Sequence, residues 1–194
     1  MASIVLLLLM ANMPQQLAAH CLDSVQTVNV REVFSMMPDS LFPYLSKNNR
    51  LDMLDFMDSN MKAEVKNRFD GSTEMLSLTD NDLRVQLNDA STMEVILLPV
   101  DVPVDNVNRI VCVLQTYANR ESTLSFYSVK WHQLPTEDYL TEPMEGMSAQ
   151  WDSATKTLSL TADSFSEMVA LENQKITQKK LIKLQWLSKF YNKH

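Results

Sequence analysis

Glycine is nearly missing from this chain: only Gly71 and Gly146 occur among 194 residues. Phosphate cradles and dinucleotide turns need closely approachable backbone N–H groups and residues at positive φ, so a P-loop, a dinucleotide fingerprint and a glycine-flanked nucleophile elbow are excluded. Turns must be made by Asn, Asp and Ser instead. These residues stand where hairpins need them, at Asp80-Asn81-Asp82, Asn88-Asp89-Ala90, Ala118-Asn119-Arg120 and Asp152-Ser153-Ala154. Cysteine is equally scarce, and Cys21 with Cys112 is too small a set for a disulfide framework. Cys112 lies in Ile110-Val111-Cys112-Val113-Leu114, an apolar strand pattern in which cysteine acts as a small buried hydrophobe. Histidine is limited to His20, His132 and His194. His132 alone stands in the body of the chain, without a marked nucleophile or recognised zinc-ligand spacing beside it. The sequence therefore predicts no cofactor, no metal and no catalytic residue. Paired carboxylates stay open, because 24 acids supply many pairs, and a small carboxylate-dependent hydrolase acting on glycan is the alternative function.

Long apolar runs are limited to one, at the start. Ile4 to Met10 is unbroken, Pro14 follows, and the small pair Ala18-Ala19 precedes the polar stretch from His20. This is the outline of a secretory signal cleaved after Ala19, although no Lys or Arg precedes the run. The run is too short to span a bilayer, which takes about 20 apolar residues. Cys21 raises the alternative of a lipid anchor, and with it membrane attachment, but the bulky His20 before it disfavours that chemistry. Residues 1–19 are thus read as a signal peptide and 20–194 as one domain, periplasmic or secreted, an outer-membrane lipoprotein being the lesser reading.

The net charge of −7 is unevenly distributed: the six Lys beyond residue 173 face no acid there, while all 24 acids precede them. An acidic body disfavours nucleic acid as a partner. The Lys tail is read as a half-buried strand, because Ile182, Leu184 and Trp186 alternate with Lys183 and Gln185. Lysine there also guards a sheet edge against association.

Along the chain the first third reads as helical and the rest as strand. Val25 to Met37 suggests a short helix stopped by Pro38, Leu41 to Leu45 a turn, and Arg50 to Asn67 a longer helix capped by Asn48 or Asn49. After Gly71 the apolar period becomes two. Strands are expected at Met75–Thr79, Leu83–Leu87, Met93–Leu98, Arg109–Tyr117, Thr123–Trp131, Gln150-Trp151, Thr157–Thr161 and Leu181–Leu187. Glu137 to Met147 reads as a long loop, and Ser164 to Glu172 as a helix or crossing segment. The expected class is α+β, with N-terminal helices packed on a curved antiparallel β-meander sheet.

Within the second helix, Asp52, Asp55 and Asp58 form one stripe and Met53, Met57 and Met61 another, with Leu54 and Val65 on the Met side and Asp58 placed to pair with Lys62. The sulfur stripe reads as core packing, with a Cu(I) site as the chemical alternative. The carboxylate stripe reads as a solvated face. Asn49, Arg50 and Asp52 near the helix start, with Asp39 in the preceding turn, form a candidate interaction cluster, since Arg offers a fork for carboxylate or phosphate. The structural alternative has Arg50 tie the helix to the Pro38-Asp39-Ser40 turn. Trp131 and His132, at the end of an alternating strand, complete the candidate interaction residues.

The stretches Met37-Pro38-Asp39-Ser40-Leu41-Phe42-Pro43-Tyr44-Leu45, Asn48-Asn49-Arg50-Leu51-Asp52 and Met61-Lys62-Ala63-Glu64-Val65 carry a resemblance. With Leu76-Ser77-Leu78-Thr79, Ser91-Thr92-Met93, Leu97-Leu98-Pro99, Phe126-Tyr127 and Trp131, the chain resembles an uncharacterised family of exported Bacteroidales proteins, domain of unknown function 3256. The resemblance implies an exported protein with no assigned activity and carries over no catalytic residue. Taken together, the sequence predicts a non-catalytic binding or scaffolding module whose partner is a protein or glycan of the envelope.

Overall fold

The computed structural model describes residues 28–140, 144–162 and 181–185, the side chains of 162 and 181–185 excepted. The period-two alternation after Gly71 folds as a run of hairpins. Seven strands pair antiparallel in chain order: β1 (Ala63–Lys66), β2 (Ser72–Leu78), β3 (Asp82–Asn88), β4 (Ser91–Val104), β5 (Val107–Tyr117), β6 (Ser122–Tyr127) and β7 (Gln133–Leu134). Three more, β8 (Met147–Asp152), β9 (Thr157–Ala162) and β10 (Leu181–Gln185), form a second antiparallel sheet with β9 in the middle. Among the described residues two helices, α1 (Val30–Met36) and α2 (Lys47–Asp58), precede the strands, and a 3₁₀ turn, Thr136–Asp138, follows β7.

The fold is therefore mainly antiparallel β with two helices, a correction to the expected α+β domain with a helical first third. The second helix does not reach Asn67. It closes at Ser59, Asn60 turns the chain at φ 52°, and Ala63 and Val65 are buried from alternate positions of β1. The helical residues from Arg50 to Asp58 were readable, the start at Lys47 was not, and the four-residue strand behind them was too short to announce its period. α1 is shorter than expected as well, starting at Val30 with Asn29 as its cap, the Asn29 Oδ1 accepting from Glu32 N at 2.8 Å. Met37 before Pro38 is extended, at ψ 130°, as the ring demands.

With so little glycine, seven other residues among those described take positive φ: Asn60, Asp70, Asp105, Asn106, Arg120, Trp131 and Lys156. Asp105 and Asn106, at φ 53° and 64°, make the two-residue turn joining β4 to β5. That hairpin is the longest among the described residues and was not among the expected turns, because Pro99 and Pro103 interrupt the strand pattern; the register shifts between Pro99 and Val104.

Each face of the seven-stranded sheet carries its own core. Met93, Val95 and Leu97 of β4 pack toward α1 and α2, among Val33, Phe34, Leu45 and Met53. Ile96, Leu98 and Val100 point the other way, where Leu158 and Leu160 of β9 and Met147 and Ala149 of β8 cover them. Burial on both faces explains the unbroken apolar run from Val95 to Leu98. Cys112 is fully enclosed in this second core and burial pushes its thiol pKa up. Among the described residues no helix is long and apolar enough to cross a membrane. The signal segment, Cys21, Val25, Ser164–Glu172 and Trp186 lie outside the described residues, as do 141–143 within the expected loop.

Candidate functional site

Helix α2 starts one turn earlier than Asn48 or Asn49 would have it. Ser46 is its cap: the Ser46 hydroxyl accepts from Asn49 N at 3.2 Å, and Asn49 Oδ1 accepts in return from Ser46 N at 3.1 Å. This reciprocal pair satisfies two donors that a helix start leaves open. Asn49 also donates from Nδ2 to Lys66 O at 3.1 Å, fixing α2 to β1. One residue on, Arg50 is 1% exposed and holds together three segments. Its Nη1 donates to Asp39 Oδ1 at 3.0 Å and to Leu45 O at 2.9 Å, while Nη2 donates to Met37 O. Asp39 receives Arg68 on its other oxygen. The Arg50 hydrogen bond, with Arg68 beside it, holds the Asp39 carboxyl below its usual 3.8 against the opposing pull of desolvation. The guanidinium fork is thus occupied internally; only Nε lacks an acceptor among the described residues. Arg50 ties α2 to the 38–40 turn and offers no fork to a ligand.

Trp131 and Arg50 act on the same helix. The short α1 ends with Met37 N bonded to Phe34 O, which leaves the Val33 carbonyl open. The Trp131 indole Nε1–H donates to it at 3.0 Å, across 98 residues of sequence. Trp131 is 7% exposed and sits at φ 66°, an unfavourable backbone region for a bulky residue, in a turn closed by bonds between Ser128 and residues 131 and 132. Such strain costs about 1–3 kcal/mol and persists because the indole bond and the contact with Tyr127 over-determine it. His132 is exposed, its Nδ1 3.7 Å from Asp105 Oδ2. The Asp105 carboxyl is held below its usual value by the Ser128 hydroxyl first, then by Lys130 and His132.

Asp52 is exposed on α2. Asp58 pairs with Arg31 at 2.7 Å rather than with Lys62, which reaches Glu64 at 2.5 Å and Glu74 at 3.5 Å. The sulfur stripe does not survive. Met53 is buried, Met57 half-buried, and Met61 lies past the helix end at 58% exposure, so no face carries three thioethers; Val65 sits on β1. Among the described residues no group of three His, Cys, Asp or Glu is placed to hold a metal ion. The six candidate residues therefore fall into three places, with Asp39, Asn49 and Arg50 together, Asp52 on the outer face and Trp131 with His132 in a separate turn. None of them lines the cavities described below.

A large concavity lies elsewhere. At the end of β5, where β6 and β8 begin and the 3₁₀ turn crosses, an open groove of about 770 Å³ is floored by Leu124 and Leu140 with Tyr117 and Met144. Thr123 and Thr136 bring hydroxyls to it, and Glu121, Glu137 and Glu145 bring carboxylates. Its frame is firm: Ser122 Oγ accepts from Ala149 N at 2.9 Å and shares a hydrogen with Thr116 Oγ1 at 2.9 Å, joining the two sheets, and Tyr139 stacks on Phe126 at 5.0 Å. Sequence reasoning placed a long loop from Glu137 to Met147 but did not make it the wall of a site. The signal for it was that loop itself, acidic and close behind an alternating strand.

The model of a family described as "Protein of unknown function (DUF3256)" matches residues 22–184. No curated protein matches the chain. Among solved structures, a domain of an uncharacterized protein from Porphyromonas gingivalis W83 is similar, with a TM-score of 0.63 at 17% identity over 82% of this chain and 94% of that one. That likeness is one of fold.

Proposed function

The chain belongs to the DUF3256 family of proteins of unknown function, and on that footing we propose an exported, non-catalytic binding module of the bacterial envelope that holds a glycan in the groove beside Tyr117. The proposal includes cleavage of residues 1–19 and a single folded body from 20 to 194. The observation that carries the binding role is the groove's lining: an aromatic and aliphatic floor under hydroxyls and carboxylates. Sugars present apolar C–H faces and rings of hydroxyl donors. The Tyr117 ring, 42% exposed, suits the first, and the acceptor-only carboxylates of Glu121, Glu137 and Glu145 suit the second. An acidic chain of net charge −7 also repels nucleic acid.

The same three carboxylates support a second reading, a hydrolase cleaving the glycan it holds. Calorimetric titration with neutral envelope oligosaccharides, followed by assay of new reducing ends, separates the two. Binding without new reducing ends, weakened about tenfold or more in Tyr117→Ala, is the expected result. Absence of binding sinks the module, and release of reducing ends replaces it with the hydrolase.

A further inference from the structure

A second cavity opens at the far end of β5 from the groove. Arg109 lies eight positions before Tyr117, about 27 Å away at about 3.4 Å per residue, and there the β8–β9 turn folds over the start of β3 and the Leu97-Leu98-Pro99 stretch of β4. The cavity is small, about 140 Å³, and more enclosed than the groove. Its charges are unbalanced. Half-buried Arg109 donates from Nη1 to Asn81 Oδ1, a neutral amide, and meets no carboxylate within ion-pair distance among the described residues. Lys156, held at φ 52° in the β8–β9 turn, likewise has no ion pair among them. Trp151 lines the same cavity, and its Nε1–H is shut off from solvent with no acceptor among the described residues. The one acid, Asp82, is 9% exposed and already accepts from Ser153 Oγ.

Two cations against one carboxylate leave a positive excess in a cleft of a negatively charged protein. A half-buried guanidinium bonded only to an amide is a group whose desolvation an anion would offset. The volume sets the size. At about 30 Å³ per water in the liquid it equals four or five waters, enough for one carboxylate with a short carbon chain behind it. The planar fork of arginine matches the planar carboxylate, and Asp82 disfavours a second negative charge.

We propose that this cleft binds a small organic monocarboxylate, seated on the open edge of the Arg109 guanidinium with Lys156 at the mouth and Trp151 in the wall. The site is independent of the glycan reading, since it shares no lining residue with the groove.

The test follows the indole N–H resonances of the full chain by heteronuclear NMR during titration with propionate, with lactate, and with inorganic phosphate. The Trp151 resonance should move saturably with the monocarboxylates and be several-fold less sensitive to phosphate. In Arg109→Gln, which keeps a side chain able to bond Asn81, monocarboxylate affinity should fall about tenfold or more, as loss of a charge-assisted bond requires. The Trp131 resonance, in the other core, reports whether the variant is folded. Should that variant be disordered, Lys156→Gln on the exposed turn gives the same reading, with weaker carboxylate binding expected. A Trp151 resonance that ignores propionate and lactate, responds equally to phosphate, or shifts as strongly in both variants overturns the proposal.

Discussion

The two faces of the seven-stranded sheet are built to different standards. On the face covered by α1 and α2, Arg50 reaches two carbonyls and Asp39 with only its Nε left over, Trp131 takes the open Val33 carbonyl, and buried Asn67 serves the β1–β2 turn. On the face covered by β8 and β9, the lid seals Ile96, Ile110, Leu114 and Phe126 but leaves a concavity at either end. It also leaves the Trp151 N–H without an acceptor among the described residues. The lesson is that residue types do not mark the site here. The arginine and tryptophan that look most functional are structural where their hydrogen bonds close, whereas Arg109 keeps an unpaired charge among the described residues and Tyr117 an exposed ring.

That contrast is broken most severely at Arg50. Arg50→Met should cost about 3 kcal/mol or more in urea unfolding, because it removes three hydrogen bonds and strands two buried carbonyls. Arg109→Gln should stay within about 1 kcal/mol of the parent; equal losses at the two arginines would erase the distinction between the faces. Next comes Trp131→Phe, which keeps the ring but abandons the Val33 carbonyl and should cost about 1–3 kcal/mol by thermal or urea unfolding.

A smaller effect of opposite sign is expected at Glu94, on the β8–β9 side. Burial foremost, aided by Asp82 and opposed by Arg84, raises its pKa. The folded state therefore holds the proton more tightly than the unfolded chain, and ionised Glu94 weakens the fold above that raised value. Glu94→Gln should raise the urea midpoint at neutral pH, and the gain should vanish as the pH falls through the folded pKa. Asp39 gives the mirror image and the least effect, being partly exposed. Its pKa is lowered, so its contribution is complete above the unfolded value of 3.8 and disappears as the pH drops through the folded one. Asp39→Asn should flatten that acid limb of the stability curve and leave Glu94's dependence untouched.

Much of the β architecture was legible because it is local. From Met75 on, alternation located all the strands but the shortest, and the Asn and Asp turns fell where glycine was missing. The errors came where a short element followed a longer periodic one: Met53, Met57 and Met61 kept a four-residue spacing past the true helix end at Asp58. The Asp105-Asn106 turn was hidden by the prolines around it. Arg50 was readable as a tie between α2 and the preceding turn because its partner Asp39 is only 11 positions away. The groove and the cleft were not, since the first gathers residues from 117 to 146 and the second from 81 to 156. No spacing rule reaches that far.

The indole bond from Trp131 to Val33 has a temporal side. A seven-residue helix is too short to persist alone, and the groups that complete α1 arrive late: Asp80 O accepts from its first N–H, and Trp131 closes its last turn. A chain leaving the ribosome N-terminus first thus secures α1, the first of the described helices, only after Trp131 has been made. The securing of α1 waits on a partner 98 residues away, unlike the neighbour-to-neighbour hairpins of the sheet.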